Sequence, residues 1–558
     1  MVKKFFGFIN KEIGGIHQAA YLLGFFAFLS QVLALVRDRL LAYFFGASHT
    51  LDLYYASFRI PDFLFASIAS VVSISVLIPF LMEKLDASEE EGKKFIDDVF
   101  SIFFLFIGVV SAVVFFLIPF LVSRFFPGFV GSDQTELISL TRIMLLSPIL
   151  LGFSNFFASI TQVYKRFFIY ALSPLLYNIG IIVGIVFLYP LFGMRGLVYG
   201  VIIGAIFHGG IQIPFLLERG LFPKFKTSVN FSSLRRIALL SLPRTVTASS
   251  NEIAESFLIA FASIMSAGSI SIFNFSFNLQ SVPLSIVGVS YALAAFPALT
   301  RHYSNGNRAE FLAQMMASAK HIVFLCTPVA LFFITLRAQI VRVLLGSGHF
   351  NWTDTRLTAA ALALFIISIV PQSLMPLFVR SYYARGKTRA PLIINFISAS
   401  FLVTFAYFLS HAFLVPNAFR NFLELLLRVQ NLPGTSVLAL PLAFSVGLTL
   451  NMSIHWIDFH QHYPEFTRPV MKTFLQSFTG SLVMGFVSYE MLQLLSGVFN
   501  LNTAFGIFAQ GFIAGIVGIF FFILTLRLMK SEELEEIWQT LHKKIWKTKV
   551  IAAEQTRL

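Results

Sequence analysis

The stretch from Ser30 to Asp62, SQVLALVRDRLLAYFFGASHTLDLYYASFRIPD, decides the fold of this chain. Apolar residues dominate both sides of a short Gly46-Ala47-Ser48 turn, which predicts two lipid-spanning helices joined as a hairpin. Ionisable groups inside a bilayer are costly and tend to face a bundle interior or a water-filled cavity. The hairpin therefore predicts a polar interior, because it contains Arg37, Asp38, Arg39, Asp52, Arg59 and Asp62.

The composition is that of a membrane protein. The chain has 558 residues, of which 57% are hydrophobic and 12% are charged, and its mean hydropathy is +0.80. Soluble domains typically carry about 25% charged residues. The sequence therefore predicts an all-α polytopic membrane protein, and its single cysteine excludes an internal disulfide framework.

Hydropathy predicts about fourteen spans of roughly 20 apolar residues or more. Their approximate bounds are 17–44, 51–83, 96–124, 136–164, 168–191, 195–218, 233–265, 269–301, 310–337, 355–384, 388–412, 436–459, 468–497 and 503–529.

The basic residues set the orientation of these spans. Of the 41 Lys and Arg, about 28 fall on the side of the N-terminus in the fourteen-span arrangement, and few fall on the other side. This bias predicts that both termini are cytoplasmic. It also explains the net charge of +14 without nucleic acid, and attraction to anionic membrane lipids is a secondary effect.

The chain contains signs of an internal repeat. The segment PLLYN begins at Pro174, and the similar PLIIN begins 217 residues later at Pro391. Pro79 and Pro297, each predicted to end a helix, are 218 residues apart. These offsets favour two six-helix lobes of the same orientation, related by a pseudo-two-fold axis along the membrane normal. Chance placement of proline is the alternative.

The resulting organisation has six parts. They are a basic lead-in at 1–16, an N-terminal lobe at 17–222, a C-terminal lobe at 223–412 completed by 436–459, a periplasmic insertion at 413–435, two further helices at 468–529, and a cytoplasmic amphipathic tail at 530–558. The insertion contains an amphipathic run, 419–427. In the tail, one helical face carries Leu534, Ile537, Trp538, Leu541 and Ile545.

The hairpin resembles a known family. The residues that match in order are Ser30, Arg37-Asp38, Phe45-Gly46-Ala47 and Asp52, followed by Phe58-Arg59-Ile60-Pro61. With the fourteen spans and the doubled core, they resemble the lipid II flippase family (MurJ/MviN) of the multidrug/oligosaccharidyl-lipid/polysaccharide exporter superfamily. The chain departs from the family pattern at Gln31 and Asn278, where the family has arginines, and at Ala34, where it has glycine.

The resemblance implies a transporter of the bacterial inner membrane rather than an enzyme. Its substrate would be a lipid-linked peptidoglycan precursor, moved from the cytoplasmic to the periplasmic leaflet by alternating access, with a role in cell-wall synthesis and cell shape. A basic cavity between the lobes would bind the pyrophosphate through charge-assisted contacts. We expect a monomer.

The candidate substrate-binding residues are Arg37, Asp38, Arg39, Asp52, Arg59, Asp62, Asn278 and Gln280, with Asn274 as a further cavity-lining candidate. Arg37 is expected to pair with Asp38 or Asp52. Such a pair either binds and releases phosphate or only joins the first two helices. The alternative for Arg39 is that its side chain extends to the membrane surface.

Two acids on helix 7 suggest a coupling-ion site. Glu252 and Glu255 share a helical face, and oxygen ligands suit Na⁺ or a proton. Asn251, Asn395 and Ser398 are expected to complete the site. The alternative is that both acids pair with Arg244.

Other chemistry is not expected. A cluster near the end of helix 12, comprising His455, Asp458, His460 and His462, lacks the spacing of a zinc site, so no metal is predicted. The segment Gly386-Lys387-Thr388 follows no strand and lacks the earlier glycine of a phosphate loop, so no nucleotide is predicted.

Two alternative functions stay open at this stage. One is export of another lipid-linked oligosaccharide or amphiphile within the same superfamily. The other is a non-transporting scaffold derived from a flippase, in which the missing arginines reflect loss of transport. A membrane-bound transferase would need paired acids or a histidine site in a large aqueous loop, and the sequence has none that we recognise.

Overall fold

The structure, a computed structural model, describes residues 16–68, 74–226, 250 and 252–546. This part of the chain contains helices and no strand. In chain order the α-helices are α1 (Ile16–Phe45), α2 (His49–Ile68), α3 (Ile74–Ala87), α4 (Glu89–Phe125), α5 (Ser132–Met144), α6 (Leu146–Val163), α7 (Phe167–Val183), α8 (Tyr189–Phe192), α9 (Met194–Gly210), α10 (Ile213–Glu218), α11 (252–263), α12 (Ser269–Pro283), α13 (Ser290–Ser304), α14 (Arg308–Leu344), α15 (Trp352–Ile366), α16 (Ile369–Ala384), α17 (Arg389–Leu414), α18 (Ala418–Leu427), α19 (Ala439–His462), α20 (Thr467–Leu494), α21 (Ala504–Leu528) and α22 (Glu532–Trp546).

The membrane fold predicted from hydropathy is confirmed. Within the described ranges, ten helices are long and apolar enough to cross a bilayer, and α15 with α16 makes an eleventh as a span bent by 42°. Most predicted bounds agree with these helices to within a few residues; for example, the span expected at 388–412 is α17. The spans expected at 96–124 and 310–337 are each seven residues longer at one end, as α4 and α14. The total of fourteen spans stays a prediction.

The chain divides into two compact units. The first contains the described residues up to Ser276 together with Leu344–Thr358 and Thr388–Phe444. The second contains Phe277–Val343, Ala359–Lys387 and the described residues from Ser445 onward. The two six-helix lobes and their boundaries stay a prediction.

Close backbone contact between α7 and α9 organises part of the first unit. A Cβ added at Gly180 would lie 2.3 Å from the Cα of Gly204, and one at Gly184 would lie 2.6 Å from the Cα of Gly200. Gly180 of α7 and Gly184 directly after it thus face Gly204 and Gly200 of α9, and small residues four apart are the pattern that lets membrane helices approach closely. Because α7 also packs against α1, this contact supports the helix that carries Arg37.

The second unit contains the paired helices α20 and α21, on which α22 is docked. Leu534 and Ile537 of α22 pack against a cluster comprising Phe324, Met484, Phe522 and Leu526. The predicted amphipathic tail helix is therefore present. Trp538, assigned to the same apolar face, is 65% exposed.

Two further local predictions have clear outcomes. The expectation that Pro79 and Pro297 each end a helix is wrong, because α3 continues beyond Pro79 to Ala87 and α13 continues beyond Pro297 to Ser304. Proline removes one hydrogen bond from a helix without ending every helix that contains it, particularly in membrane segments. The amphipathic run in the insertion is α18, whose first turn is capped by the side chain of Asn417.

Candidate functional site

Arg37 pairs with its own neighbour in α1. Of the two expected partners, the structure selects Asp38, whose carboxylate lies 2.8 Å from the guanidinium. Arg37 also donates a hydrogen bond of 3.3 Å to Asn178 on α7, and Asn178 in turn donates to Ser30. Asp38 is buried and the Arg37 side chain is 22% exposed. The first helix therefore contains a charged pair that is hydrogen-bonded to α7 and is partly accessible to solvent.

Asp52 instead caps the start of α12. Its carboxylate accepts hydrogen bonds of 2.7 Å from the backbone N–H of Gly268, from the backbone N–H of Ser271 and from the Ser271 hydroxyl. The first N–H groups of a helix have no intrahelical partner and favour a negative charge. Asp52 thus joins α2 to α12, although 216 residues separate it from Gly268.

Gly268 suits this junction. It has a φ of +88°, and an added Cβ would lie 2.3 Å from the carbonyl oxygen of Ala47 in the hairpin turn. A side chain would therefore be strained and would push the two segments apart.

Arg59 forms a second bridge from α2. Its guanidinium donates a hydrogen bond of 2.6 Å to Asn274 on α12 and lies 3.5 Å from the carboxylate of Glu255 on α11. The Arg59 and Glu255 side chains are 11% and 19% exposed. Arg59 lies seven residues after Asp52, which is about two helical turns deeper along α2. Asp52 and the Arg59–Asn274 hydrogen bond therefore join α2 to α12 at two depths, and the ion pair joins α2 to α11.

Among the residues that the structure describes, acids outnumber cations around Arg59. Besides Glu255, the carboxylates of Asp62 and Glu252 interact electrostatically with its guanidinium. The described side chains thus place three carboxylates around one arginine. The alternative in which Arg244 pairs with these acids involves a residue outside the described ranges.

The remaining candidates lie elsewhere. Arg39 is exposed and donates to the carbonyl of Leu344. Gln280 exchanges hydrogen bonds with Gln372 in the second unit, to which Asn278 also belongs. Asn395 and Ser398 are buried on α17, and Asn251 lies outside the described residues. The roles of all these residues stay predictions.

The histidine cluster has structural partners. Asp458 accepts a hydrogen bond of 2.6 Å from the Tyr382 hydroxyl, and His460 contacts Thr467. Throughout the described residues, no three His, Cys, Asp or Glu side chains come together as metal ligands.

Sequence reasoning missed three participants, namely Asn178, Gly268 and Ser271. Asn178 is the last residue of the PLLYN segment of the predicted repeat, but its hydrogen bond with Arg37 joins residues 141 apart. Gly268 and Ser271 surround the start of a predicted helix, which is the signal that could have identified an anion-capped terminus.

The comparisons agree with this architecture. The sequence model of the family described as Lipid II flippase MurJ matches residues 41–514. A probable lipid II flippase MurJ of Thermotoga maritima is 28% identical over 534 residues, covering 93% of this chain and 97% of that protein. A lipid II flippase MurJ of Burkholderia cenocepacia is 24% identical over 376 residues, covering 66% and 73%.

Solved structures show the same fold. A lipid II flippase MurJ in an inward closed conformation superposes with a TM-score of 0.72 at 22% identity, covering 92% of this chain and all of that one. An inward-facing multidrug resistance MATE family transporter of the MOP superfamily gives a TM-score of 0.63 at 14% identity, covering 79% and 96%. Because the family model covers most of its length, the chain belongs to the lipid II flippase MurJ family.

Proposed function

We propose that this protein is a flippase that moves a lipid II-like polyprenyl pyrophosphate from the cytoplasmic to the periplasmic leaflet by alternating access. It works as a monomer in the bacterial inner membrane, with both termini in the cytoplasm. Family membership supports the transport function, and the charged hairpin supports an anionic headgroup as the transported part.

The proposal depends on one observation, the unsatisfied hydrogen-bond donor of Arg59. Its side chain is largely buried, and its Nε–H has no hydrogen-bond partner among the described residues. Buried donors are usually satisfied, and an unused guanidinium N–H is suited to a phosphate oxygen. Arg37, the other hairpin cation of the site, already has Asp38 as its partner. We therefore assign the first pyrophosphate contact to Arg59.

The exchange of partners at Arg59 gives a transport step. Its ion pair with Glu255 joins α2 to α11, so a pyrophosphate that binds Arg59 competes with that bridge. Asp52 holds α2 against the start of α12, at the end of the hairpin that the topology assigns to the periplasm. Headgroup binding would first weaken the Arg59–Glu255 ion pair. The hydrogen bonds between Asp52 and the start of α12 would then break, which would open this end toward the periplasm.

The acid excess supports cation coupling. Among the described residues, Asp62, Glu252 and Glu255 surround one guanidinium, an excess of negative charge that Na⁺ or a proton would balance. In this proposal Asn251, Asn395 and Ser398 contribute further oxygens. Release of the cation restores the Arg59–Glu255 pair and resets the carrier.

A binding measurement tests the substrate class. Purified full-length protein is titrated with undecaprenyl pyrophosphate and, separately, with tetraphenylphosphonium as an organic cation. We expect the pyrophosphate lipid to bind, and Arg59→Gln to weaken it at least tenfold, since a charge-assisted hydrogen bond contributes about 1.5–3 kcal/mol. Preference for the organic cation, or unchanged affinity in Arg59→Gln, would overturn the proposal.

A further inference from the structure

A groove in the second unit is bounded by α14, α16, α19 and α20. Its apolar part has a volume of about 720 Å³, and its walls include Ile457 on α19 with Val470, Phe474 and Phe478 on α20. A second, more open part of about 600 Å³ is bordered by residues that include His460, Arg468, Lys472 and Gln476. Met471 lines both parts, so they adjoin at this side chain.

The open part of the groove is cationic. Arg468 and Lys472 lie one helical turn apart on α20, and both side chains are exposed. No described acid forms an ion pair with Arg468, whereas Lys472 pairs with Glu532 at 2.9 Å. The groove residues therefore attract an anion. At Lys472 this attraction is opposed by the carboxylate of Glu532, the one described acid that pairs with this lysine.

The position of these cations within α20 is also unusual. Arg468 is the second residue of the helix and its first turn contains no acid. Cations near a helix N-terminus oppose the helix dipole, whereas an anion bound there is favourable. A negatively charged group between Arg468 and Lys472 would relieve this conflict.

The boundary between the two parts has the character of a membrane interface. The indole N–H of Trp456 donates to the Thr467 hydroxyl, which contacts His460 at 2.9 Å. Tryptophan is typical of the membrane–water boundary, where its ring is apolar and its N–H meets polar groups. The apolar part therefore faces the hydrocarbon region, and the cationic part faces the headgroups on the side predicted to be cytoplasmic.

We propose that this groove binds an anionic glycerophospholipid of the cytoplasmic leaflet, with its phosphate between Arg468 and Lys472 and its acyl chains along Met471 and Phe474. Basic pockets between membrane helices on this side are a common form of anionic lipid recognition. The site is built wholly within the second unit, so it is separate from the Arg59 cluster and does not depend on the transported substrate.

Native mass spectrometry of the full-length protein tests this site. The protein is mixed with phosphatidylglycerol, with phosphatidylcholine as the zwitterionic reference, and with undecaprenyl phosphate as the other anionic lipid. We expect retention of phosphatidylglycerol above phosphatidylcholine, and a loss of about tenfold in the double variant Arg468→Gln/Lys472→Gln. Met471→Trp, which fills the junction of the two parts, should also reduce retention.

Two controls separate lipid binding from structural effects. Arg301→Gln/Lys387→Gln removes two exposed cations on the same predicted side, outside the groove, and should leave retention unchanged. Glu532→Gln breaks the ion pair of Lys472 while keeping the cation, and should bind phosphatidylglycerol at least as well as the wild type. Equal retention in the Arg468/Lys472 variant, or stronger retention of undecaprenyl phosphate that this variant abolishes, would overturn the assignment.

Discussion

Arg59 on α2 and Glu255 on α11 lie 3.5 Å apart, and they form an ion pair between residues separated by almost two hundred positions. Both side chains are shielded from solvent, so neither charge is readily compensated by water. Removing Glu255 would leave Arg59 facing Asp62 and Glu252, whereas removing Arg59 would leave three described carboxylates without its charge. The behaviour of the two single variants is therefore informative.

Glu255→Gln should strengthen binding of a pyrophosphate lipid. The substitution removes the carboxylate that competes for Arg59 and keeps the side-chain shape, so an added anion meets a more positive site. We expect an affinity gain of about five- to tenfold, together with slower transport because the substrate is released less readily.

Titration with undecaprenyl pyrophosphate measures the gain. Glu136→Gln, which changes an exposed acid of the same unit, serves as the control. Weaker binding in Glu255→Gln would contradict the competition.

Asp52→Asn should loosen the start of α12. An amide oxygen can accept hydrogen bonds from Gly268 and Ser271, but it carries no charge to complement the helix terminus. We expect hydrogen exchange in residues 268–276 to accelerate about tenfold, corresponding to a loss of about 1–2 kcal/mol. The matched control is Asp133→Asn, which changes a partly exposed acid that pairs with His49. Equal protection in Asp52→Asn and the wild type would show that the cap does not hold the helix.

Gly268→Ala should destabilise the protein more than the corresponding change at Gly306. Both glycines have positive φ, at +88° and +71°, so both variants carry the backbone cost of about 1–2 kcal/mol. Only at Gly268, of these two, does the added Cβ meet another segment, at 2.3 Å from the carbonyl oxygen of Ala47. Thermal unfolding of the purified variants checks the difference, and a similar loss in both would mean that the close approach is unimportant.

The tail helix α22 should depend on Glu533 and on pH. Burial alone would raise the pKa of this carboxyl, but hydrogen bonds from Thr473 and Ser531 and the charge of Lys320 hold the pKa below its ordinary value. Its contribution to docking is complete above the unfolded-state pKa of about 4.3 and is lost as the pH falls through the lower folded-state value.

Hydrogen exchange of α22, corrected for the intrinsic effect of pH, measures this docking. We expect faster exchange in Glu533→Gln at neutral pH and in the wild type under acid conditions. Glu535→Gln changes an exposed acid two residues away and should leave the exchange rates unaltered. If Glu533→Gln exchanges like the wild type, the packing of Leu534 and Ile537 alone holds the helix.

The spans could be predicted from the sequence because bilayer thickness imposes a long apolar run on every crossing. The hairpin could be predicted as well, because the Gly46-Ala47-Ser48 turn interrupts two such runs. The interaction partners of the charged side chains could not be predicted from the sequence. Helical periodicity assigns Arg59 and Glu255 to faces of their own helices, but it contains no information on which distant helices meet. The choice of Asp38 over Asp52 as the partner of Arg37 likewise depended on tertiary packing.

Translocation of a labelled lipid II analogue in proteoliposomes tests the central claim most directly. The wild-type protein should move the analogue between leaflets. Arg59→Gln should lower the rate at least tenfold, because a charge-assisted hydrogen bond to phosphate is lost. Lys94→Gln, at an exposed position, should transport normally. A wild-type rate in Arg59→Gln would contradict the account.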